Sequence, residues 1–128
     1  MSVLPGIDLV ETARIADAIK RQGEAFLKRV FTSEERAYCE SHANSAGSYA
    51  ARWAAKEAVA KALGTGIGAD ASLVEIEVVR ETNGQPQIKL HGTAAALAAR
   101  MGVKEVRISL THTEHYAAAF AVITTSNA

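Results

Sequence analysis

The chain has 128 residues, 48% of them apolar, which is enough for one compact domain with a hydrophobic core. Its 14 basic and 14 acidic side chains cancel, which excludes the general positive field expected of a nucleic-acid-binding or membrane-surface protein. No apolar stretch approaches the roughly 20 residues that span a bilayer. A single cysteine, Cys39, and an N-terminus without a secretory pattern indicate a cytosolic chain without an internal disulfide.

The first predicted element is a strand over residues 2–11, a run rich in β-branched and apolar residues that contains an acid. Asp8 lies between Ile7 and Leu9, and successive residues of a strand face opposite sides. Asp8 therefore either faces solvent, which is the default, or is buried with a partner that offsets its desolvation.

Two helices are predicted next from their end signals. Thr12 is placed to cap a helix that extends from residue 13 to about residue 22 and stops at Gly23. Thr32 followed by Glu35 has the spacing of a capping box, so a second helix is expected to start there.

The small, polar segment 42–48 predicts a loop. Cys39 and His42 flank its start and are candidates for a metal pair or for a nucleophile with its base. Because no second cysteine or matching histidine motif accompanies them, a partly buried thiol is the preferred interpretation.

An alanine-rich run from Arg52 to Gly64 predicts the central helix of the fold. Small side chains recur on one face of this helix, where another element can approach closely: Ala51, Ala55, Ala58 and Ala62. Glu57 and Lys61 lie on a different stripe, together with Trp53. The default interpretation of Glu57 and Lys61 is an exposed ion pair, which contributes only ~0.3–0.5 kcal/mol to stability. The alternative interpretation is that both charges have a chemical role.

A glycine-rich segment, residues 64–68, follows the central helix and superficially suggests a phosphate-binding loop. Such loops lead from a strand into a helix, whereas this one follows a helix, so Gly64 is first predicted as a helix C-cap. Flexible backbone at this point still admits the close approach of a ligand.

The second half of the chain predicts two hairpins with a helix between them. Asn83-Gly84 is a strong hairpin signal, and the helix is stopped by Gly102. The predicted strands are 73–80, 87–90, 105–111 and 116–124, and the helix is 93–101. These elements predict an α+β fold in which an antiparallel sheet built from hairpins has helices packed on one side.

His112 and His115 lie in the predicted turn between the last two strands. Their spacing is a weak signal for a metal site, and two surface histidines are the preferred interpretation.

Three motifs, spread over most of the chain, resemble the holo-[acyl-carrier-protein] synthase family of 4′-phosphopantetheinyl transferases. They are GIDLVE at residues 6–11, RWAAKEAVAKALGTG at 52–66 and SLTHTEHYAAAFAV at 109–122. Members transfer the 4′-phosphopantetheine arm of coenzyme A to a serine of an acyl carrier protein and release adenosine 3′,5′-bisphosphate, with Mg²⁺ on the pyrophosphate. The resemblance implies the same fold and the same reaction in fatty acid biosynthesis.

The resemblance assigns the catalytic roles to Asp8, Glu57 and Lys61. Asp8 and Glu57 correspond to metal ligands, which suits the preference of Mg²⁺ for a few carboxylates together with phosphate oxygens. Lys61 corresponds to the cation that stabilises charge on the phosphoryl oxygens. Glu57 or a metal-bound water removes the serine proton.

The resemblance also implies contacts with coenzyme A. These positions are Arg52, Lys61, Gly64, Pro86, His112 and Thr113. Family members often carry basic residues shortly before the central helix, but this chain has none between His42 and Arg52. Which side chains hold the 3′-phosphate of coenzyme A is therefore left open.

The family's partners are acidic carrier proteins, and its members are trimers with active sites between subunits. Arg14 matches a carrier-contact position, and Arg21 is a second candidate. Three other basic residues either extend this patch or form a solvated helix face: Lys20, Lys28 and Arg29.

Two other classes of function remain open from the residues alone. A non-enzymatic coenzyme A-binding module needs phosphate contacts but not Asp8 and Glu57 together. A metal-dependent pyrophosphate hydrolase uses the same carboxylates with water as the nucleophile, and releases the bisphosphate without a carrier protein.

Overall fold

The computed structural model describes residues 1–64 and 72–126. The helices of this part are α1 (Thr12–Gln22), α2 (Glu24–Val30), α3 (Ser33–Glu40), α4 (Ser45–Leu63) and α5 (Gly92–Met101). The strands are β1 (Ser2–Glu11), β2 (Ile76–Arg80), β3 (Pro86–Leu90), β4 (Val103–His112) and β5 (Tyr116–Thr125). A membrane-spanning helix is not found among these elements, since none combines the necessary length and hydropathy.

The strands form antiparallel pairs, as the hairpin signals predict. A three-stranded sheet has the order β1-β5-β4, and β2 pairs with β3 in a separate hairpin. Helix α4 packs against both β1 and β5 on one face of the larger sheet. The α+β prediction, with helices on one side of an antiparallel sheet, is confirmed.

The close contact between β1 and α4 depends on small residues on both elements. The four alanines of the predicted seam are all buried. Gly6 faces this seam, and a methyl group at Gly6 would collide with the backbone carbonyl oxygen of Ala58 and crowd the backbone nitrogen of Ala62. Because β1 lies directly on the helix backbone here, Asp8, two residues after Gly6 on the same face, also faces α4.

Three predicted element boundaries are wrong. Thr12 is the first residue of α1 rather than its cap, and its buried hydroxyl has no hydrogen-bond partner in the described residues. Asn44 caps α4 by accepting a hydrogen bond from the Gly47 amide at 3.0 Å, so residues 45–48 are helical and not loop. Leu73–Glu75 form a 3₁₀ turn before β2, because the backbone of the predicted strand starts to extend only at Ile76.

The other end signals are confirmed. Thr32 and Glu35 exchange both hydrogen bonds of the capping box at the start of α3. Gly64 ends α4 with a left-handed backbone (φ 87°), which favours glycine. The remainder of the glycine-rich segment lies outside the described residues.

A buried ion pair between Glu35 of α3 and Lys56 of α4 connects these two helices to the start of β2. Lys56 Nζ donates to Glu35 Oε1 at 2.7 Å and to the carbonyl oxygens of Leu73 at 3.0 Å and Ile76 at 2.8 Å. The other carboxylate oxygen of Glu35 accepts from the Val78 amide at 2.8 Å. Since both charges are fully buried and hydrogen-bonded, this pair fixes α3 and α4 against the start of β2.

Candidate active site

Strand β1 and helix α4 bring Asp8 and Lys61 together. Lys61 Nζ lies 3.1 Å from Asp8 Oδ1 and 3.0 Å from the carbonyl oxygen of Ile7. The Asp8 side chain is only 14% exposed, whereas that of Lys61 is 52% exposed. Of the two alternatives for Asp8, the structure supports burial with a partner, and the solvent-facing default is wrong.

Glu57 lies one turn before Lys61 on α4 and is half-buried. Burial raises the pKa of Glu57 above its ordinary value, and the negative charge of Asp8 raises it further, while Lys61 and Arg14 lower it. Lys61 pairs with Asp8 and not with Glu57, so the simple ion pair between residues 57 and 61 is not formed. Asp8, Glu57 and Lys61 thus form one electrostatically coupled cluster.

The two carboxylates of this cluster suit a hard divalent cation. After burial, the charge of Asp8 is the second cause that raises the pKa of Glu57, and the Glu57 carboxylate makes no hydrogen bond to residues 1–64 or 72–126. No group of three or more potential metal-ligating side chains occurs in those same ranges. Mg²⁺ characteristically uses one or two carboxylates and completes its shell with water and phosphate oxygens, so Asp8 and Glu57 fit it.

Replacing Glu57 by glutamine is expected to raise the melting temperature by a few degrees at neutral pH in metal-free buffer. Because folding raises the pKa of Glu57 above its ordinary value of 4.5, the ionised carboxylate costs stability once the pH exceeds that value. At lower pH the carboxyl is neutral in both folded and unfolded chains, and the advantage of glutamine should vanish. Thermal unfolding between about pH 4 and about pH 8 measures this effect, and an advantage that increased toward acid would contradict it.

The basic residue Arg14 adjoins this cluster rather than lying apart on α1. Its guanidinium carbon is 5.9 Å from the centre of the Trp53 ring, and its charge lowers the pKa of Glu57. Trp53 in turn stacks on Phe26 of α2, with ring centres 6.0 Å apart. A cation and the aromatic pair of partly buried Trp53 and buried Phe26 therefore lie beside the carboxylates on the side of α1 and α2.

His112 and Thr113 lie at the turn between β4 and β5. His112 Nδ1 lies close to Gly47 in the first turn of α4, 3.0 Å from where a Cβ atom on that glycine would stand. Thr113 closes the turn, since its amide donates to the Tyr116 carbonyl oxygen at 2.7 Å. His112 and His115 are both exposed, as the surface interpretation predicts, and His115 lies beside Glu114.

Arg52 faces α3 and β2, and Pro86 belongs to the β2–β3 hairpin. The guanidinium of Arg52 is buried against the ring of Tyr38, and Pro86 is the first residue of β3, paired with Arg80. The chain therefore does not bring Arg52 into the cluster of Asp8, Glu57 and Lys61.

Cys39 is a buried thiol, as predicted. Burial raises the pKa of Cys39 to about 12, which keeps the sulfur protonated and unreactive at neutral pH. His42 is occupied elsewhere, because its Nδ1 lies 2.8 Å from the Tyr38 carbonyl oxygen.

Comparisons with known proteins give the family to which this chain belongs. The sequence model of the 4′-phosphopantetheinyl transferase superfamily matches residues 5–121. The holo-[acyl-carrier-protein] synthase of Koribacter versatilis is 45% identical over 92% of this chain and 94% of its own length. The chain belongs to the 4′-phosphopantetheinyl transferase superfamily.

Solved structures narrow the similarity to one branch of that superfamily. The holo-[acyl-carrier-protein] synthase of Neisseria meningitidis superposes with a TM-score of 0.87 and 31% identity, over 95% of this chain and 98% of its own. The Helicobacter pylori enzyme in complex with coenzyme A gives a TM-score of 0.84 and 30% identity, over 94% and 100% of the two chains.

Proposed function

We propose that this chain is a holo-[acyl-carrier-protein] synthase that transfers the 4′-phosphopantetheine arm of coenzyme A to a serine of an apo acyl carrier protein. The observation that carries the proposal is the cluster of Asp8, Glu57 and Lys61 in a chain of this family. The serine oxygen forms a bond to the β-phosphorus of coenzyme A, and adenosine 3′,5′-bisphosphate leaves. We propose that residues 1–128 act as one cytoplasmic domain in fatty acid biosynthesis.

Lys61 is the residue that contacts the reacting phosphate. An ammonium group has three N–H donors, and within the described residues Ile7 and Asp8 accept two hydrogen bonds from it. The remaining donor and the positive charge are available for a phosphoryl oxygen. Since negative charge spreads over these oxygens in the transition state, a fixed cation there lowers the barrier.

Asp8 and Glu57 are proposed to hold Mg²⁺ against the pyrophosphate, where the ion supplies Lewis-acid stabilisation of the transferring phosphoryl group. Glu57, or a water held by the ion, is the candidate to accept the serine proton. Asp8 holds Lys61 in place through the 3.1 Å contact.

The predicted contacts with coenzyme A remain proposals and come from several elements. They are Arg52, Lys61, Gly64, Pro86, His112 and Thr113. His112 has the strongest structural support, because it lies at the first turn of α4, where backbone amides favour an anion.

The production of bisphosphate distinguishes the proposed transferase from its alternatives. With coenzyme A and Mg²⁺, we expect adenosine 3′,5′-bisphosphate to appear only when an apo carrier protein is added, in equal amount to the modified serine. Bisphosphate formed without the carrier indicates a hydrolase, and binding of coenzyme A with no bisphosphate at all indicates a binding module. Either result would overturn the proposal.

We propose that the active unit is a homotrimer, as the family resemblance implies, and the apolar, open outer face of the β1–β5 pair supports an interface between subunits. Val3, Ile7 and Leu9 are 57%, 65% and 66% exposed, and Phe120, opposite Ile7 on β5, is 45% exposed. A face of this kind generally marks an interface. Light scattering of an active preparation is expected to give three times the chain mass, whereas a strictly monomeric mass would contradict a shared site.

Arg14→Glu is expected to raise the KM for the carrier protein about 5- to 50-fold, while the KM for coenzyme A changes little, because charges at the rim of an interface govern encounter with an acidic partner. Raising the ionic strength from about 0.05 M to about 0.5 M shortens the Debye length from roughly 14 Å to roughly 4 Å. Parent and variant should therefore converge at high salt. Arg21→Glu tests the second proposed carrier contact in the same assay.

Arg100→Glu makes the same charge change at the end of α5 and is the matched control for Arg14→Glu. It should leave the KM for the carrier unchanged. A loss of kcat at saturating carrier with an unchanged KM in Arg14→Glu would exclude the docking role and leave Arg14 with an effect on Glu57 alone.

A further inference from the structure

Helix α5 is attached to the rest of the fold by few apolar side chains. Ala94 and Ala98 are its buried residues, and Leu97 and Met101 are partly buried against the core. The helix packs on the 3₁₀ turn Leu73–Glu75 and on β4. A segment with few buried apolar contacts opens locally at a lower free energy than the centre of a domain. The polar contacts at the ends of α5 therefore matter for its attachment.

The start of α5 has no cap from its own sequence. The first N–H groups of a helix lack a partner within the helix and need an acceptor from elsewhere. The side chain of His91, at the N-cap position, makes no capping hydrogen bond, and the first turn contains no acidic residue. Glu75 supplies the acceptor from the 3₁₀ turn, since its Oε1 accepts from the Thr93 hydroxyl at 2.6 Å and from the Ala94 amide at 3.1 Å.

Gly92 permits this close approach of Glu75. A methyl group at Gly92 would collide with the Glu75 carboxylate, and the Gly92 backbone is left-handed (φ 55°), which favours glycine. The main chain of Glu75 contributes as well, because its carbonyl oxygen accepts from the His91 amide at 2.9 Å. Glu75 thus holds the start of α5 with its side chain and its main chain.

The negative charge of Glu75 suits this position, because the N-terminus of a helix carries a partial positive charge. The hydrogen bond from the Thr93 hydroxyl is the largest cause that lowers the pKa of Glu75, while burial acts in the opposite direction. Backbone hydrogen bonds lower this pKa further, from Ala94, Thr93 and Ser72. Since folding lowers the pKa below its ordinary value of 4.5, the ionised carboxylate stabilises the fold above that value, and this stabilisation is lost as the pH falls through the folded pKa.

Other charged groups near Glu75 respond to acid in different ways. Those along the cavity that Glu75 borders are Glu34 on α3, Glu77 on β2, and Lys89 and His91 on β3. The helices that pack on the 3₁₀ turn carry Glu24, Lys28 and Arg29 on α2, Lys56 on α4 and Arg100 on α5. Glu77 also titrates in acid, but its hydrogen-bond partners Thr32 and His91 lie outside α5. A proton gained by His91 adds a positive charge 2.9 Å from Glu77 and strengthens that contact.

We propose that Glu75 is an acid-sensitive switch for the attachment of α5. While it is ionised, the carboxylate caps α5 from the 3₁₀ turn. When it takes up a proton from solvent, α5 opens locally, while the packing of α4 on β1 and β5 persists. The switch concerns the fold and does not rest on the proposed function.

Hydrogen exchange of the full chain tests the switch, with protection factors of α5 and α4 amides measured from about pH 7 to about pH 3.5. An anion at a helix N-terminus changes an opening equilibrium about 2- to 5-fold. Glu75→Gln keeps an acceptor oxygen but carries no charge, so at neutral pH it should lower the protection of α5 amides by this factor and leave that of α4 amides unchanged. In the parent, the same loss should appear only below about pH 4.5.

Glu34→Gln is the matched control for Glu75→Gln. It removes an exposed carboxylate of α3 along the same cavity, and its α5 amides should be protected like those of the parent at every pH. Glu75→Ala also removes the acceptor oxygen and should lower α5 protection further, by up to about 30-fold, the scale of a lost helix cap.

Three outcomes would overturn the switch. If Glu75→Gln retains the parent's fall of α5 protection in acid, a different group controls the helix. If α4 and α5 of the parent lose protection together, acid unfolds the whole domain and not α5 alone. A parent whose α5 protection stays constant over the whole pH range would contradict the proposal as well.

Discussion

Asp8→Ala and Glu57→Ala are each expected to reduce kcat/KM for the apo carrier protein at least about 100-fold at saturating coenzyme A and Mg²⁺, the scale on which removing one electrostatic contact to the transition state acts. Asp8 contributes a proposed metal ligand and holds Lys61 at 3.1 Å, so its loss removes two functions. Glu57 contributes the second proposed ligand and the candidate base. Circular dichroism should match that of the parent and unfolding should remain cooperative, because neither side chain is part of the hydrophobic core.

Glu105→Ala is the matched control for both substitutions. Glu105 is an exposed carboxylate on β4 that pairs only with Arg107, at 3.0 Å, within the described part of the chain. Its removal should leave kcat/KM unchanged. Activity within about tenfold of the parent in either Asp8→Ala or Glu57→Ala would exclude that residue as a proposed metal ligand, because ligand carboxylates contribute more than this to metal affinity and activity.

Lys56→Ala is expected to lower the free energy of unfolding by about 3–5 kcal/mol, the typical cost of removing one partner from a buried ion pair. The substitution leaves the Glu35 carboxylate buried without its cation. It also removes the hydrogen bonds to the carbonyl oxygens of Leu73 and Ile76. Urea unfolding at pH 7 measures the loss, and a cost under about 1 kcal/mol would show that Glu35 finds another partner.

Lys61→Ala is the control that separates stability from catalysis, since both lysines lie on α4 five residues apart. Lys61 is half-exposed, so its contact with Asp8 should contribute no more than about 1 kcal/mol to stability. Its loss should instead reduce kcat, with little dependence on salt, because the cation acts at close range. A Lys61→Ala variant that unfolded as readily as Lys56→Ala would contradict this division of roles.

Local signals predicted much of the fold. These signals act between residues that are close in sequence, so they placed most elements correctly. They are the glycines and hydroxyl residues at helix ends, the Asn83-Gly84 turn and the alternation of apolar residues. Thr12 shows the limit of these signals. Thr12 and Asn44 both have the chemistry of an N-cap, and only the path of the preceding chain determines which of them performs it.

Pairing between distant residues could not be predicted from local pattern. Asp8 meets Lys61 because Gly6 lets β1 lie on α4, and 53 residues separate the two partners in sequence. The family resemblance named both residues but did not show their contact. From the sequence pattern alone, the default prediction for Asp8 was a side chain that faces solvent, and that prediction is wrong.

Lys56 was missed altogether by the sequence analysis. Lys56 stands next to Glu57 in an alanine-rich run and resembles an ordinary surface lysine. A signal was present, because Lys56 lies four residues after Arg52 and three before Val59, on a helix face that is otherwise buried.

Intact-mass spectrometry of an apo acyl carrier protein tests the central claim most directly. After incubation with this chain, coenzyme A and Mg²⁺, the carrier is expected to gain the mass of one phosphopantetheine group, located on a single serine by fragmentation. The gain should disappear with Glu57→Ala, or when a chelator removes the metal ion, and should persist with Glu105→Ala. A carrier that stays unmodified beside folded parent protein would contradict the account.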